Sequence, residues 1–471
     1  GTSDFVQNID VDGTGTRSVK DVVSSAKLMV DGTQIGVNRS VDDNGKITFS
    51  NLNWNLLRDS GKEVTLYINI STSAFYDGNP ERVYFDIVTA ADDVSATNTD
   101  GDSVDANGNA KNGAPTVVVT VQDLGVIAGN VDGNTPDSDI LVAGSSKVSV
   151  AKFRYTAQRE GFQIQKFGVT LGNAGPADSV GIGNVYIKYG STEKAAAQKS
   201  LTATGENYAY WTWGSDYPIV PKDGDLTVEI LVDLVGITAS NPEASDTRIK
   251  VIAKDTITIS GIATNTFKAV GLASGTEDIT MGDLTANIMD VRKTKPVVTK
   301  TSIGTTTLVN ANQTVYKFTV SNNSAGPIDF GKLRWNGTYS GATVINNCTL
   351  YDLTSSETVA GPTASAQAAG LFTLDMALNP RKEIGGIGVG STREYELRCT
   401  VAGAVGGDTV SFFLQNDGAH QDKGTFAAMP AGSNLVWSDH SIFGHTTASA
   451  DYTNGYLIKL PTGSETLTKP T

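Results

Sequence analysis

The sequence of 471 residues contains no apolar run of 18 residues, the length that a membrane-spanning helix requires. Charged residues make up only 18% of the chain, and strong helix formers dominate no long window. Lysine and arginine number 36 against 50 aspartates and glutamates, which gives a formal net charge of −14. This acidic balance argues against nucleic-acid binding, which needs a basic surface. These features argue against a helical membrane protein, a helical bundle and a nucleic-acid-binding protein.

Residues that often carry chemistry are scarce as well. The three histidines, His420, His440 and His445, have no metal-ligand spacing with a cysteine, so we expect them to lie in solvated loops. The chain has no glycine-rich phosphate loop and no nucleophile elbow. We therefore predict that the protein is not an enzyme and has no organic cofactor.

What the sequence has in abundance is glycine, 50 residues, on a background rich in Thr, Ser, Asn and Asp, which suits short strands joined by turns. One pattern of alternating apolar and polar residues occurs three times, and such alternation predicts a half-buried strand. Its apolar positions are Val64, Leu66, Ile68 and Ile70, then Val228, Ile230, Val232 and Leu234, then Tyr395, Leu397, Cys399 and Val401. Two further strands recur in the same order, with a period of roughly 160 residues.

Three copies of a unit made of short strands predict an all-β fold of three tandem immunoglobulin-like antiparallel β-sandwich domains. We place the sandwiches at residues 1–113, 146–290 and 296–440. An extended connector is expected at 114–145 and a separate C-terminal tail at 441–471.

The second and third units each open with a strand, Lys147–Tyr155 and Thr314–Val320, that has no counterpart in the first unit. We therefore expect the first sandwich to lack its N-terminal strand, which would leave an apolar groove along Val6, Ile9 and Val11. A strand from a neighbouring subunit could fill such a groove by β-strand addition. The alternative is that the missing strand belongs to another part of a longer precursor.

The tail is the candidate donor strand because it matches none of the recurring strands. Its apolar residues are Tyr456, Leu457, Ile458, Leu460 and Leu467. A chain that lacks one strand and carries a spare one can polymerise head to tail. The alternative is that the tail folds back onto its own third unit.

The two cysteines, Cys348 and Cys399, both fall at inward-facing positions of the third unit. This placement predicts a disulfide that joins the two sheets of the sandwich, and a pair of reduced core cysteines is the alternative. A disulfide would indicate an oxidising, extracellular location.

Two acidic segments are candidate calcium sites, because oxygen ligands at close spacing suit this cation. The residues are Asp100, Asp102 and Asp105 in one segment, and Asp132, Asp137 and Asp139 in the other. The alternative is that they are ordinary solvated turn residues.

Two segments, Asp139–Ser146 leading into the strand of Phe153, and Ala450–Tyr456, carry a loose resemblance to a known group. The chain resembles the repetitive tandem immunoglobulin-like surface proteins of uncultivated small-genome (candidate phyla) bacteria. The resemblance implies a location on the cell surface and transfers no catalytic residues.

The sequence thus predicts a structural subunit of an extracellular, pilus-like filament whose partner is another copy of itself. A subunit of a surface layer is the first alternative. An adhesin or glycan-binding protein is the second, with the aromatic segment Tyr208–Trp213 as its candidate patch. We expect that segment to be a core strand instead.

Overall fold

The computed structural model describes residues 3–15, 18–71, 74, 81–87, 90–107, 118–121, 125–172, 180–201, 207–322, 326–377, 387–388 and 390–471. Two compact units make up the chain. The first is Gly1–Val126 with Gln158–Gly161 and Gly271–Thr276, and the second is Ile127–Ala157, Phe162–Val270 and Glu277–Thr471. Strands account for 58% of the residues and helices for only 3%, and the strands form three sandwiches, which confirms the predicted all-β fold class.

Within its described residues, the first sandwich has nine strands and two short helices. The helices are α1 (Val19–Val22) and α2 (Ala90–Asp93). The strands are β1 (Ser3–Gly15), β2 (Val23–Val30), β3 (Thr33–Arg39), β4 (Lys46–Leu57), β5 (Val64–Ile70), β6 (Glu81–Asp86), β7 (Val94–Asn98), β8 (Ser103–Asp105) and β9 (Val119–Val121). One sheet has the order β8-β7-β1-β6-β9 with β4 also on β1, and the other has the order β3-β2-β5.

The second sandwich has a five-stranded sheet of order β10-β12-β19-β14-β15 facing a sheet of order β11-β25-β20-β13-β17-β16, to which β18, β23 and β24 add. A hairpin, β21-β22, and a 3₁₀ turn at Pro242–Ala244 accompany them. The strands are β10 (Val126–Val131), β11 (Asp139–Val142), β12 (Val148–Gln158), β13 (Phe162–Leu171), β14 (Ile182–Tyr189), β15 (Thr192–Ala195), β16 (Gln198–Ser200), β17 (Tyr208–Thr212), β18 (Ile219–Val220), β19 (Asp225–Leu234), β20 (Arg248–Ala253), β21 (Thr256–Ile259), β22 (Ile262–Asn265), β23 (Lys268–Gly271), β24 (Glu277–Asp278) and β25 (Leu284–Arg292).

The third sandwich repeats this plan, with a sheet of order β26-β27-β33-β29-β30 and a sheet of order β31-β32-β28-β34-β37 that also carries β35 and β36. A 3₁₀ turn lies at Phe426–Ala428. The strands are β26 (Pro296–Thr301), β27 (Asn312–Asn322), β28 (Asp329–Tyr339), β29 (Val344–Asp352), β30 (Glu357–Thr363), β31 (Ala366–Ala368), β32 (Leu371–Ala377), β33 (Thr392–Ala402), β34 (Thr409–Leu414), β35 (Leu435–Ser438), β36 (Tyr452–Asn454) and β37 (Glu465–Thr468).

Local sequence explains how these strands are joined. In the β2–β3 hairpin, Asp31 and Gly32 have φ values of 46° and 78° between the paired residues Val30 and Thr33. Two consecutive residues at positive φ match the right-handed twist of the flanking strands, and Asp-Gly is a favoured pair for such a turn. The alternation of apolar residues then sets which face of each strand is buried.

Two predicted segments were wrong as separate elements. The expected connector at 114–145 contributes strands to sandwiches: β9 pairs with β6, β10 with β12, and β11 with β25. Residues 114–117 and 122–124 of that segment lie outside the described residues. The expected tail at 441–471 is part of the third sandwich, because β36 pairs with β35 and β37 with β34.

Buried charges hold the second and third sandwiches together. Arg292, at the end of β25, contacts the carboxylate of Asp246 at 2.6 Å, and His420 of the third sandwich contacts the same carboxylate at 3.1 Å. The backbone N–H of Lys423 also donates to Asp246, at 3.0 Å. Asp246 therefore connects groups from both sandwiches.

Candidate functional site

The sheet that contains β5 is shorter than its counterparts. In the second and third sandwiches the strands equivalent to β5 are β19 and β33, and each has a partner on both edges. Strand β19 lies between β14 and β12, and β33 lies between β29 and β27. In the first sandwich β5 pairs with β2 alone, within the part of the chain that the structure describes. The outer edge of β5 is therefore where β12 and β27 lie in the other two sandwiches.

Burial of the alternating apolar face reflects this difference. Val228 and Tyr395 are buried in their sandwiches, with exposed fractions of 1% and 0%, whereas Val64 is 38% exposed. At the other end of the strand Ile70 is 37% exposed, against 5% for Leu234. The same sequence pattern is thus fully covered twice and only partly covered once.

An apolar groove of about 350 Å³ lies beside this strand. Its walls include Val6, Ile9 and Val11 of β1, and Val64 and Leu66 of β5. Every residue that lines it is apolar. The three residues that the sequence analysis singled out as an acceptor surface therefore lie together on one wall of an apolar groove.

The register of the complete sandwiches indicates what would face Val64 in a complete sheet. Phe153 of β12 is opposite Val228 of β19, and Phe318 of β27 is opposite Tyr395 of β33. Across the other edge of the three strands, Val64 pairs with Val30 of β2, Val228 pairs with Tyr189 of β14, and Tyr395 pairs with Asp352 of β29. Val64, Val228 and Tyr395 hold equivalent positions, so a strand added to β5 in the same register would place an aromatic side chain against Val64.

The proposed donor residues already lie in their own domain, which is a correction. Leu467 of β37 has no exposed surface, and Ile458 and Leu460 are also buried in the third core. Leu457 packs against this core, and Tyr456 is half-buried. Strand β37 pairs with β34 in the third sandwich, just as β25 pairs with β20 in the second. The tail therefore supplies the last strand of the third sandwich.

Cys348 and Cys399 are joined by a disulfide, with their Cα atoms 4.0 Å apart. The expected position was wrong in one respect, because the bond links β29 and β33, neighbours in one sheet, and does not cross between sheets. Both side chains point inward, and an irregularity in the pairing between Asn346 and Thr349 brings Cys348 next to Cys399. The equivalent pairs elsewhere are Val185 with Val232 and Ala26 with Ile68.

The aspartates predicted to bind calcium are not brought together. Asp100 and Asp102 are exposed in the β7–β8 turn, where their backbone N–H groups donate to Asn98, and Asp105 is exposed in β8. Asp132 accepts hydrogen bonds from Asn134 and Thr227, Asp137 is exposed, and Asp139 pairs with Lys295. These carboxylates serve as turn residues or already have protein partners.

The histidines are not in solvated loops, which is a further correction. All three histidines are half-buried, and the side chains of His420, His440 and His445 are 9%, 17% and 6% exposed. Both His440 and His445 contact the buried carboxylate of Asp329, at 2.5 and 3.2 Å. Burial lowers the pKa of His445, but hydrogen bonds to Asp329 and Asp451 outweigh burial and raise it to about 9. Sequence spacing could not indicate this cluster because Asp329 lies more than a hundred positions before either histidine.

The aromatic segment Tyr208–Trp213 forms β17 and the residue that follows it. Trp211 has no exposed surface, and Tyr210 and Trp213 are each 7% exposed. The expectation of a core strand is therefore confirmed, and this segment offers no stacking surface for a sugar.

No family model matches the sequence, and no curated protein matches it. Solved structures give remote similarities. The C-terminal domain of the Streptococcus agalactiae AgI/II polypeptide BspA is 11% identical over 62% of this chain and 96% of that chain, with a TM-score of 0.17. The major pilin subunit BcpA of Bacillus cereus is 10% identical over 88% and 90%, with a TM-score of 0.16. The full-length major pilin RrgB of Streptococcus pneumoniae is 9% identical over 89% and 58%, also with a TM-score of 0.16.

These TM-scores are too low for the similarities to support a conclusion about architecture or role. Among the described residues, no helix is long and apolar enough to cross a membrane. The functional interpretation therefore depends on the geometry of the first sandwich.

Proposed function

We propose that this chain is a structural subunit of an extracellular polymer and that its first sandwich accepts a β-strand from another subunit. The observation that carries the proposal is the outer edge of β5, with which none of the described strands pairs, beside an apolar groove. An unpaired edge offers a row of backbone donors and acceptors, and the groove offers pockets for alternate side chains. The disulfide of the third sandwich supports an oxidising, extracellular location.

The two complete sandwiches indicate the chemistry of the donated strand. β12 and β27 both lie antiparallel to the neighbour that corresponds to β5, and both have buried aromatic residues at alternate positions, Tyr155 after Phe153 and Phe318 after Tyr316. A donor for β5 therefore has alternating apolar and polar residues with an aromatic side chain against Val64. Full burial of a large apolar side chain contributes roughly 1.5–3 kcal/mol, so covering Val64, Leu66 and Ile70 supplies a substantial driving force.

A peptide can test the acceptor. We expect a fluorescently labelled peptide with the sequence of residues 148–158 to bind the full chain, measured by fluorescence anisotropy. The same peptide with serine at the positions of Phe153 and Tyr155 should bind at least tenfold more weakly, because it cannot fill the groove. Failure of the first peptide to bind would contradict the proposal.

Two variants on one strand provide a matched control. Val64→Asp places a charge in the groove and should abolish peptide binding. Thr65→Asp introduces the same charge on the next residue, which is exposed on the opposite face, and should bind like the wild type. Equal binding by both variants would contradict a site at the β5 edge.

Electron microscopy of the native material distinguishes a filament from a surface layer. Strand addition to the first sandwich of each chain predicts filaments. The Val64→Asp variant, which cannot accept the strand, should form none. A flat lattice that persists in this variant would favour the surface-layer alternative, with contacts made by other faces.

A further inference from the structure

In the third sandwich, the imidazoles of two histidines contact the carboxylate of one aspartate. Asp329 is the first residue of β28, and His440 and His445 come from the segment that joins β35 to β36. The nearest carboxylate oxygen of Asp329 lies 2.5 Å from Nε2 of His440 and 3.2 Å from Nε2 of His445. The three ligand atoms all lie within 4.8 Å of one another.

These distances are close to those of a metal site. In a tetrahedral zinc site with bonds of about 2.0–2.1 Å, two ligand atoms are roughly 3.3 Å apart. The separation between Asp329 and His445 already has this value, and that between Asp329 and His440 needs to open by less than 1 Å. Both Nε2 atoms contact the carboxylate of Asp329. The imidazole rings of His440 and His445 stack, with centroids 3.8 Å apart and planes inclined by 23°, so one ring has to turn for both nitrogens to point at a shared ion.

A second carboxylate fixes the orientation of one ligand. Both oxygens of Asp451 lie 3.0 Å from Nδ1 of His445, and Asp451 is fully buried. One of these oxygens also accepts a hydrogen bond from the backbone N–H of Ile442, at 3.1 Å. A carboxylate on the far nitrogen of a metal-binding histidine fixes the tautomer and directs the other nitrogen to the metal.

The charge of the cluster also suits a dication. Asp329 and Asp451 have exposed fractions of 0%, and burying two carboxylates is costly unless cations compensate them. A divalent ion between Asp329, His440 and His445 would displace the Nε2 proton of His445 to solvent and would supply two positive charges in its place. Two imidazoles with one carboxylate are a ligand set that zinc accepts.

We propose that Asp329, His440 and His445 bind one zinc ion, with Asp451 as the residue that positions His445. The ion would connect the start of β28 to the segment between β35 and β36. This site lies in the third sandwich and is independent of strand addition to the first.

Metal titration of the full chain tests the site. After treatment with EDTA and dialysis, we expect isothermal titration calorimetry with zinc chloride to give one site per chain, and zinc to raise the unfolding temperature. Cobalt(II) at the same site should give the visible absorption bands of a tetrahedral complex without a sulfur ligand. A chain that binds neither ion overturns the proposal.

Histidine variants locate the site. His440→Gln should weaken zinc binding at least tenfold, whereas His420→Gln, a histidine in the Asp246 cluster, should bind zinc like the wild type. His440→Cys restores a ligand and should add a sulfur-to-cobalt charge-transfer band, which a purely structural role for His440 would not produce. Unchanged zinc affinity in His440→Gln, loss of binding only in His420→Gln, or a His440→Cys chain without the new band overturns the assignment.

Discussion

At the scale of single residues, Asp246 connects the second and third sandwiches most directly. Arg292, His420 and the backbone of Lys423 all contact its carboxylate. Burial raises the pKa of Asp246, but the charge of Arg292 and the hydrogen bond from His420 outweigh burial and lower it to about 2. The ionised carboxylate therefore stabilises the native protein.

We predict that Asp246→Asn lowers the free energy of unfolding by about 3–5 kcal/mol at neutral pH, because the variant leaves Arg292 buried without its close partner. Chemical denaturation at pH 7 measures this loss. Asp422→Asn is a matched control, since Asp422 also lies near His420 but its side chain is 90% exposed, and this variant should stay close to the wild type.

The pH dependence of that difference follows from the sign of the shift. A carboxyl group whose pKa is lower in the native than in the unfolded protein stabilises above its unfolded pKa and loses this contribution as the pH falls through the native value. The gap between wild type and Asp246→Asn should thus be full at pH 5 and narrow between the ordinary pKa of 3.8 and about 2. A gap that is constant from pH 5 to pH 2 would contradict the ionised role of Asp246.

At the scale of elements, β37 shows how much a four-residue strand contributes. Leu467 is its fully buried apolar residue and packs in the core of the third sandwich. We predict that Leu467→Ala costs roughly 2–5 kcal/mol of unfolding free energy, because it leaves a cavity. Thr468→Ala, at an exposed position of the same strand, should cost far less. Urea denaturation of both variants compares them, and equal stabilities would show that β37 does not belong to the core.

The strands that the sequence predicted best are those with long alternation. Val64 to Ile70 and its two counterparts have four inward apolar positions each, enough to specify a strand and to align the copies. β37 has a single buried position, so no periodicity could assign it to the third sandwich. Alternation also gave the inward faces of Cys348 and Cys399, but a face alone does not say which strands are neighbours in one sheet.

At the scale of the whole molecule, the two compact units differ in how completely their cores are covered. The first unit has a groove of about 350 Å³ and a half-exposed strand, β5. In the second unit the equivalent strands, β19 and β33, have partners on both edges, and the third sandwich has a disulfide. Lower burial of apolar surface means lower stability for the first unit.

We therefore predict two transitions in differential scanning calorimetry of the full chain, with the first unit unfolding at the lower temperature. Reduction of the disulfide should lower the upper transition alone, since its loop of 51 positions contributes about 4 kcal/mol in the chain-entropy model. The peptide of residues 148–158 should raise only the lower transition. One transition that responds to both treatments would contradict this division of stability.

The open edge of β5 also has a consequence for the chain before it meets any partner. A strand with free backbone groups beside an apolar groove can pair with unrelated extended segments, including those of unfolded chains nearby. If the chain polymerises as proposed, newly made subunits can either assemble or aggregate, and aggregation is favoured as their concentration rises. If the chain is secreted and accepts a strand as proposed, a chaperone that occupies the groove with a strand of its own until the permanent strand binds would limit this aggregation.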